Sequence, residues 1–242
     1  MTLFGKSDAS VKELAKAAAR PVRRLVRYMI RGSGIAPFFR AGSHKLSEYK
    51  SEARWRLQGC PAPPPAHFKR RFLRDLAKRN GLQVFVETGT LHGDTIDALK
   101  GLFSELHSIE LEDELFLKAQ ARFRDTPNVH LHKGNSGEEL PKILAQLRQP
   151  ALVWLDAHYS GPGTALGTED TPVLKELAAV SAHPFKHKHV VVIDDARDFL
   201  GIEVDGYPTL DEIRSYASSV GFNSYQLAFD MIVLKQDGQE AA

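Results

Sequence analysis

Apolar residues between positions 81 and 195 follow two alternating patterns. Short runs rich in Val, Ile and Leu are typical of buried strands, and the stretches between them carry apolar residues every three or four positions, as helices do. Apolar strands that alternate with helices predict a parallel sheet covered on both faces. The five predicted strands cover residues 83–87, 106–110, 128–132, 151–156 and 190–194, and the predicted helices cover 94–103, 112–124, 137–148 and 170–180.

The C-terminal part of the chain adds two more strands. A helical pattern over 209–220 leads to apolar runs at 224–228 and 231–235. The two residues between these runs leave no room for a crossover helix, so the runs must pair as an antiparallel hairpin. The elements together predict an α/β fold with a Rossmann-like seven-stranded sheet, in which five parallel strands are followed by a C-terminal antiparallel hairpin.

The N-terminal part of the chain predicts a helical extension. Apolar residues over 11–31 recur at helical spacing, with Lys and Arg on the other side and a kink expected at Pro21. Such a helix packs on the body or on a second subunit of a homo-oligomer, or lies on an anionic membrane surface, and the sequence supports both hypotheses. The predicted parts are a basic helical arm (1–60), a Pro-rich hinge with a leading helix (61–80) and a body (81–242).

The net charge of +2 conceals a strong asymmetry. Residues 1–80 hold 19 Lys and Arg against 5 Asp and Glu, whereas residues 81–242 hold 13 against 25. A basic arm on an acidic body indicates that the arm faces an anionic partner or docks on its own body. The single cysteine, Cys60, excludes an internal disulfide and suits a reducing compartment. We therefore expect a cytoplasmic protein, which is peripheral to a membrane if the arm lies on one.

Acidic residues gather where the predicted parallel strands end. Ligands of open α/β sheets bind beyond the carboxyl ends of the strands. An acidic rim there favours a ligand with an amino group, ribose hydroxyls or a divalent metal, and it repels a pyrophosphate. The five strand ends carry Glu87, Glu110, the tripeptide Gly134-Asn135-Ser136, Asp156 and the pair Asp194-Asp195.

The first strand leads into a loop with two glycines, Gly89 and Gly93, and then directly into a helical pattern. Glycine lets the backbone approach a ligand closely, and a helix start offers N–H groups. Three residues separate the glycines, so the dinucleotide fingerprint Gly-x-Gly-x-x-Gly is absent. Glu110 stands where an acid commonly binds the two hydroxyls of a ribose. The combination indicates a nucleoside-type cofactor without a pyrophosphate.

These motifs resemble those of the class I S-adenosylmethionine-dependent methyltransferases, over about residues 81–237. The resemblance implies that the Gly89–Gly93 loop lies against the methionine part of the cofactor, that Glu110 binds the ribose hydroxyls, and that Asn135 and Ser136 lie near the adenine. The loop centre Thr90-Leu91-His92 is bulkier than the glycine-rich centre usual in the family. The cofactor-binding residues implied are Glu87, Gly89, Thr90, Gly93, Glu110, Asn135, Ser136 and Asp156.

Two further motifs, Leu155-Asp156-Ala157-His158 and Ile193-Asp194-Asp195, are similar to those of the metal-dependent, macrocin-type O-methyltransferases. In those enzymes acids after the fourth and fifth strands hold magnesium, which implies Asp156, Asp194 and Asp195 as metal ligands here. Magnesium prefers hard oxygen ligands, which carboxylates supply. The alternative for Asp194 and Asp195 is a capped loop after a buried strand, since acids are common at such positions.

Asp156 and His158 are the predicted catalytic residues, since either could take a proton from an acceptor. The alternative for His158 is a solvent-facing loop histidine. The glycine-containing stretch 159–164 predicts a mobile lid over the acceptor. The spacing His183-x-x-x-His187-x-His189 is similar to that of a metal cluster, but it lies at the start of the fifth strand, opposite the ligand rim. We therefore expect an exposed loop there.

The sequence favours methyl transfer from S-adenosylmethionine to an oxygen of a small-molecule or glycan-like acceptor, with Mg²⁺ as a second cofactor in the metal-dependent variant. The basic arm supports an alternative in which the chain binds nucleic acid or methylates RNA. Against this alternative, the arm has few aromatic residues that could stack on bases. A nicotinamide-dependent oxidoreductase is a third hypothesis, which the missing dinucleotide fingerprint and the terminal hairpin disfavour.

Overall fold

The computed structural model describes residues 36–157, 171–201 and 207–236, with side chains from residue 46 onward. The predicted helix over 11–31, His158 and the predicted lid over 159–164 lie outside the described residues. The chain divides into two units, of which the first ends at Arg54 and the second begins at Trp55, within helix α1 (Ala36–Leu57). Among the described helices, none is long and apolar enough to cross a membrane.

The second unit is built on a seven-stranded sheet whose strands all begin and end within two residues of their predicted bounds. The strands are β1 (Val84–Thr88), β2 (Glu105–Glu110), β3 (Val129–Lys133), β4 (Ala151–Leu155), β5 (Val190–Ile193), β6 (Ser224–Ala228) and β7 (Met231–Lys235). The helices are α2 (Ala66–Arg79), α3 (Asp94–Leu99), α4 (Asp113–Phe123), α5 (Ser136–Gln146), α6 (Val173–Ala182) and α7 (Leu210–Ser219), with single 3-10 turns at Lys186–Lys188 and Ala196–Phe199.

The strands lie in the order β3-β2-β1-β4-β5-β7-β6. Strands β1 to β5 are parallel, and β7 is antiparallel to both β5 and β6. The predicted fold of five parallel strands and a C-terminal antiparallel hairpin is therefore confirmed. The strand order reverses between β1 and β4, and ligands of such sheets bind beyond the carboxyl ends of the strands at this reversal.

The sheet is buried on both faces, as its continuous apolar runs predict. In β1, Val84 and Val86 pack in a cluster with residues of α5, α6 and α7, whereas Phe85 packs in a cluster with residues of α2, α3 and α4. These three side chains are fully buried. Full burial of such a side chain stabilises a fold by about 1.5–3 kcal/mol. The two-sided packing thus fixes β1, and the loop that follows it, at the centre of the sheet.

An aromatic cluster attaches the first turn of α2 to this unit. Phe68 packs against Trp55 and Phe229, with ring centroids 4.7 and 4.9 Å away. The indole N–H of Trp55 donates a hydrogen bond to the carbonyl oxygen of Pro61 at 2.7 Å. Trp55 and Phe68 are both buried. These contacts fix the position of Lys69, the next residue of α2.

Helix α3 ends at Leu99, four residues before its predicted end. The N–H of Leu102 bonds to the carbonyl oxygen of Leu99 in a turn, and the N–H of Ser104 bonds to the carbonyl oxygen of Gln83. The latter contact begins the alignment of β2 with β1. Leu102 and Phe103 continue the helical spacing of apolar residues, although they fill the turn, and this explains the error in the prediction.

Candidate functional site

The loop after β1 packs against the end of β4 at Gly89. Gly89 has a φ of +88°, and a β-carbon at this position would lie 2.6 Å from the carbonyl oxygen of Asp156. The N–H of Asp156 in turn donates to the carbonyl oxygen of Thr88 at 3.1 Å. Only glycine fits between these backbones. The glycine turn therefore places the predicted cofactor loop beside Asp156.

Gly93 closes the loop and precedes α3. It has a φ of +73°, and a β-carbon there would lie 2.6 Å from the ring of Phe123. Between the two glycines, Leu91 adopts a φ of +48°, and its N–H donates to Oε2 of Glu110 at 2.8 Å. The loop accommodates its bulky centre because the side chain of Leu91 is 44% exposed and its backbone is bonded to the end of β2.

The carboxylate of Glu110, at the end of β2, is held by two backbone N–H groups. Oε2 accepts from Leu91 at 2.8 Å, and Oε1 accepts from Glu112 at 2.9 Å. An ionised carboxylate has about four lone-pair sites, so two remain available to a ligand. A fixed acid of this kind beside a glycine loop suits a pair of ribose hydroxyls.

Glu87, at the end of β1, is buried with a network of hydroxyl groups. The Ser108 hydroxyl donates to its Oε2 at 2.7 Å, and the Thr90 hydroxyl lies 2.7 Å from that of Ser108. Burial, reinforced by the charges of Asp156 and Glu110, raises the pKa of Glu87 well above its ordinary value, although the hydrogen bond from Ser108 opposes the shift. Glu87, Glu110 and Asp156 therefore form one electrostatically connected rim.

Asn135 and Ser136 lie beside the end of β2, because the N–H of Gly134 donates to the carbonyl oxygen of Glu110 at 3.0 Å. The Asn135 side chain accepts from the N–H of Gly137 at 2.9 Å and caps α5. Ser136 is the first residue of α5 and is buried. The side chain of Asn135 thus caps α5. The sequence pattern alone does not distinguish this role from the predicted contact with the cofactor.

The carboxylates of Asp156, Asp194 and Asp195 converge at the ends of β4 and β5. One oxygen atom from each lies within 4.8 Å of the others. No other three His, Cys, Asp or Glu side chains meet this closely within the residues described. Asp194 and Asp195 are both buried. The three residues predicted as metal ligands therefore meet at one point, which we call the acid cluster.

Two basic side chains that nothing in the sequence pattern singles out contact the acid cluster. Nζ of Lys69 lies 2.6 Å from Oδ1 of Asp194 and 2.6 Å from Oδ1 of Asp195. Arg197 donates to Oδ1 of Asp195 at 2.9 Å and also to Asp230, in the turn between β6 and β7. Lys69 stands in a run of basic residues on α2, so its sequence context does not distinguish it from its neighbours.

The pKa values within the cluster reflect burial and mutual repulsion. Burial, followed by the charges of Asp156 and Asp195, raises the pKa of Asp194 well above its ordinary value, although Lys69 opposes the shift. Burial lowers the pKa of Lys69, but Asp194 and Asp195 outweigh burial and raise that pKa overall. Lys69 is therefore an ammonium at neutral pH, and it reduces the repulsion between the two acids.

Two of the three histidines before β5, His183 and His189, form a buried pair. The prediction of an exposed loop is therefore wrong for these two residues. Nε2 of His189 lies 2.8 Å from Nδ1 of His183, and both residues are buried. Nδ1 of His189 accepts the N–H of Ala151 at 2.9 Å, at the start of β4. The two rings can be buried because their nitrogen atoms hydrogen-bond to each other and to this backbone N–H group. Burial lowers the pKa of His189 to about 4, whereas His187 is exposed.

No protein-family model matches the chain, and a comparison with curated proteins finds no match. Its fold is similar to that of solved methyltransferases. The SAH-bound methyltransferase PaMTH1 from Podospora anserina has a TM-score of 0.52 and 13% identity, over 81% of this chain and 95% of its own. A S-adenosylmethionine-dependent methyltransferase from Clostridium acetobutylicum has a TM-score of 0.53 and 11% identity, over 82% and 100%. The O-methyltransferase TomG from Streptomyces achromogenes, solved with SAM, has a TM-score of 0.52 and 16% identity, over 78% and 89%. The chain therefore shares the fold of solved S-adenosylmethionine-dependent methyltransferases.

Proposed function

We propose that this protein is an S-adenosylmethionine-dependent methyltransferase that methylates an oxygen atom of a small-molecule or glycan-like acceptor. The fixed carboxylate of Glu110 carries the proposal, because it is bonded to the Gly89–Gly93 loop, which follows β1 next to the switch point of a methyltransferase-type sheet. Two proteins of similar fold support the same cofactor, since PaMTH1 was solved with SAH and TomG with SAM.

The described residues fit the cofactor at both of its ends. S-adenosylmethionine would supply a methyl group on a sulfonium sulfur; attack of an acceptor oxygen on the methyl carbon would break the carbon–sulfur bond and release S-adenosylhomocysteine. Glu110 has lone pairs for ribose hydroxyls beyond the two that accept backbone N–H groups. Burial, with the charges of Asp156 and Glu110, raises the pKa of Glu87 at the end of β1, although the hydrogen bond from Ser108 opposes the shift. The amino group of a bound methionine moiety would supply a cation to this part of the rim.

Asp156 connects the cofactor end of the rim to the acid cluster. One of its carboxylate oxygens lies within 4.8 Å of oxygens of Asp194 and Asp195, and its N–H donates to the carbonyl oxygen of Thr88, the residue after Glu87. An acceptor hydroxyl must lose its proton as its oxygen takes the methyl group, and Asp156 and His158 are the residues that we propose for this step. The same position allows Asp156 to orient the acceptor oxygen toward the cofactor.

The metal-dependent variant of the proposal places Mg²⁺ on Asp156, Asp194 and Asp195. Three converging carboxylates offer the hard oxygen ligands that Mg²⁺ prefers, so the donor chemistry fits. A bound ion would lower the pKa of the acceptor hydroxyl. The oxygens of Asp194 and Asp195 are shared with Lys69, so the set can hold an ion once this ammonium moves away.

Calorimetry with S-adenosylhomocysteine and the full chain tests the proposal. We expect binding, and we expect Glu110→Gln to weaken it by about tenfold or more, because an amide cannot accept both backbone N–H groups and also bind ribose hydroxyls. Glu114→Gln, at an exposed position of α4, is the matched control and should bind as the wild type does. Absence of binding by folded wild-type chain, with and without Mg²⁺, would refute the proposal.

A further inference from the structure

The ammonium of Lys69 lies between the two acids that follow β5. Its Nζ is 2.6 Å from Oδ1 and 2.7 Å from Oδ2 of Asp194, and 2.6 Å from Oδ1 of Asp195. These are the distances of short, charge-assisted hydrogen bonds. The side chain of Lys69 is only 14% exposed, and those of Asp194 and Asp195 are 5% and 12% exposed. The three groups therefore interact largely away from water.

The fold holds Lys69 in this position from the side of α2. Lys69 lies in the first turn of the helix, directly after Phe68. Phe68 packs against Trp55 and Phe229 and is buried. Exposed ion pairs contribute little because both side chains stay mobile. Here the helix is anchored next to the lysine, so the ammonium has few other positions to occupy.

The fold also holds the two acids from the side of β5. Oδ1 of Asp194 accepts the N–H of Asp195 at 2.8 Å. Asp195 has a φ of +49°, a left-handed conformation that residues other than glycine seldom adopt. Arg197 donates to Oδ1 of Asp195 at 2.9 Å. Backbone and side-chain contacts together thus direct both carboxylates toward the same point.

Lys69 contacts both carboxylate oxygens of Asp194 and Oδ1 of Asp195, and a divalent ion in the acid cluster would also need oxygens of these two residues. Mg²⁺ binds oxygen at about 2.0–2.1 Å, so an ion on Asp194 and Asp195 would lie very close to the ammonium. In a largely buried site, water screens the repulsion between two such cations only weakly. The ion and the ammonium therefore exclude each other.

We propose that Lys69 is the built-in cation of the acid cluster, and that a divalent ion binds Asp156, Asp194 and Asp195 only by displacing its ammonium. The inference rests on the proposed function, because the cluster adjoins the proposed cofactor site. Lys69 thus decides whether the acid cluster holds an ammonium group or a metal ion. In the wild-type chain the lysine form is the resting state, and metal binding is weak.

Titration with Mn²⁺, followed by calorimetry and by electron paramagnetic resonance of the unbound ion, tests the role of Lys69. Mn²⁺ is suitable because carboxylate ligands suit it as they suit Mg²⁺. We expect Lys69→Met to bind one Mn²⁺ per chain about tenfold or more tightly than the wild type does, because the competing cation is gone. We expect Lys69→Arg, which keeps a cation at this position, to bind Mn²⁺ as weakly as the wild type.

Arg74→Met is the matched control, because it removes a positive charge from the same helix, five positions away. Arg74 is exposed, and its Nε lies 4.0 Å from Oδ1 of Asp75. We expect its Mn²⁺ affinity to stay within about threefold of the wild type, since water and salt screen an exposed charge. An equal gain in Arg74→Met and Lys69→Met, or no gain in Lys69→Met, would overturn the proposal. If Lys69→Met does not fold, Lys69→Gln, which keeps N–H donors without the charge, takes its place.

Binding of S-adenosylhomocysteine, measured on the same samples, separates this proposal from the proposed function. If the wild type binds this ligand but Lys69→Met gains no Mn²⁺ affinity, the role of Lys69 is refuted and the methyltransferase function stands. If Lys69→Met gains the expected affinity but no variant binds S-adenosylhomocysteine, the function is refuted and Lys69 remains the cation of the acid cluster.

Discussion

Gly89 brings the predicted cofactor loop into contact with the acid rim, and it does so through backbone atoms. Alanine at this position would keep a φ of +88° and would place its β-carbon 2.6 Å from the carbonyl oxygen of Asp156. We expect Gly89→Ala to lower the free energy of unfolding in urea by about 2–4 kcal/mol. Gly101→Ala is the control, because the space around Gly101 is open and its φ is not left-handed. It should change stability by less than about 0.5 kcal/mol, and equal losses in both variants would contradict the assigned strain.

Glu87 makes the stability of the protein depend on pH. Burial is the main cause that raises its pKa above the ordinary value of 4.5, so the folded chain keeps a proton that the unfolded chain releases above that pH. The stability from this group is present below pH 4.5 and is lost as the pH rises toward the folded pKa. Glu87→Gln cannot release a proton. We therefore expect its stability relative to the wild type, measured in urea without cofactor, to be higher at pH 8 than at pH 5. A difference that is the same at both pH values would show that the folded pKa is not raised.

The acids of the site could be predicted residue by residue, but their basic partners could not. Asp156 and Asp194 follow strands, and the ends of parallel strands meet at one edge whatever the loops do. Lys69 comes from a helix whose packing angle decides which side chain reaches that edge. Arg70 and Arg71 have the same charge and stand next to it. Only the anchoring of Phe68, which depends on tertiary contacts, distinguishes these three residues.

At the scale of elements, the buried pair of His183 and His189 joins the segment before β5 to the start of β4. Burial lowers the pKa of His189 from 6.5 to about 4, so the unfolded chain binds a proton between these pH values and the folded chain does not. Stability from this group is therefore lost as the pH falls from 6.5 to 4, by about 3 kcal/mol at most. We expect His189→Asn, whose amide oxygen can accept from Ala151, to lose less stability over this range in urea denaturation. His187→Asn, at an exposed position, should keep the wild-type slope, and a wild-type slope in His189→Asn would contradict the assignment.

Strand positions could be predicted closely, whereas the ends of helices and the state of these histidines could not. A strand buried on both faces needs a continuous apolar run, as in Val190–Ile193, and such a run has clear limits. The spacing of apolar residues past Leu99 fits a helix and a buried turn equally well. The burial of His189 depends on a hydrogen bond from the backbone N–H of Ala151, which is distant in sequence. No local sequence pattern predicts that contact.

At the scale of the whole molecule, one unit of the chain holds both core clusters, the predicted cofactor residues and the acid cluster. Its topology could be predicted in outline because strand–helix alternation and two closely spaced final strands allow few arrangements. The position of β7 between β5 and β6 could not be predicted, since the short turn determines only that β6 pairs with β7. Which strand of the hairpin meets β5 depends on the burial of each, and β7 is the more apolar and more buried of the two.

Removal of residues 1–54 is therefore expected to leave a folded chain that binds S-adenosylhomocysteine. The truncated chain 55–242 retains Trp55, and we expect one cooperative unfolding transition and an affinity within about threefold of the full chain, measured by urea denaturation and calorimetry. A chain that begins at residue 66 is the comparison. It lacks Trp55, which is 5% exposed and packs 4.7 Å from Phe68, and loss of a buried aromatic side chain costs about 3–5 kcal/mol. The shorter chain should consequently unfold at lower urea concentration. Loss of S-adenosylhomocysteine binding in a folded 55–242 chain would instead show that the first 54 residues contribute to the site.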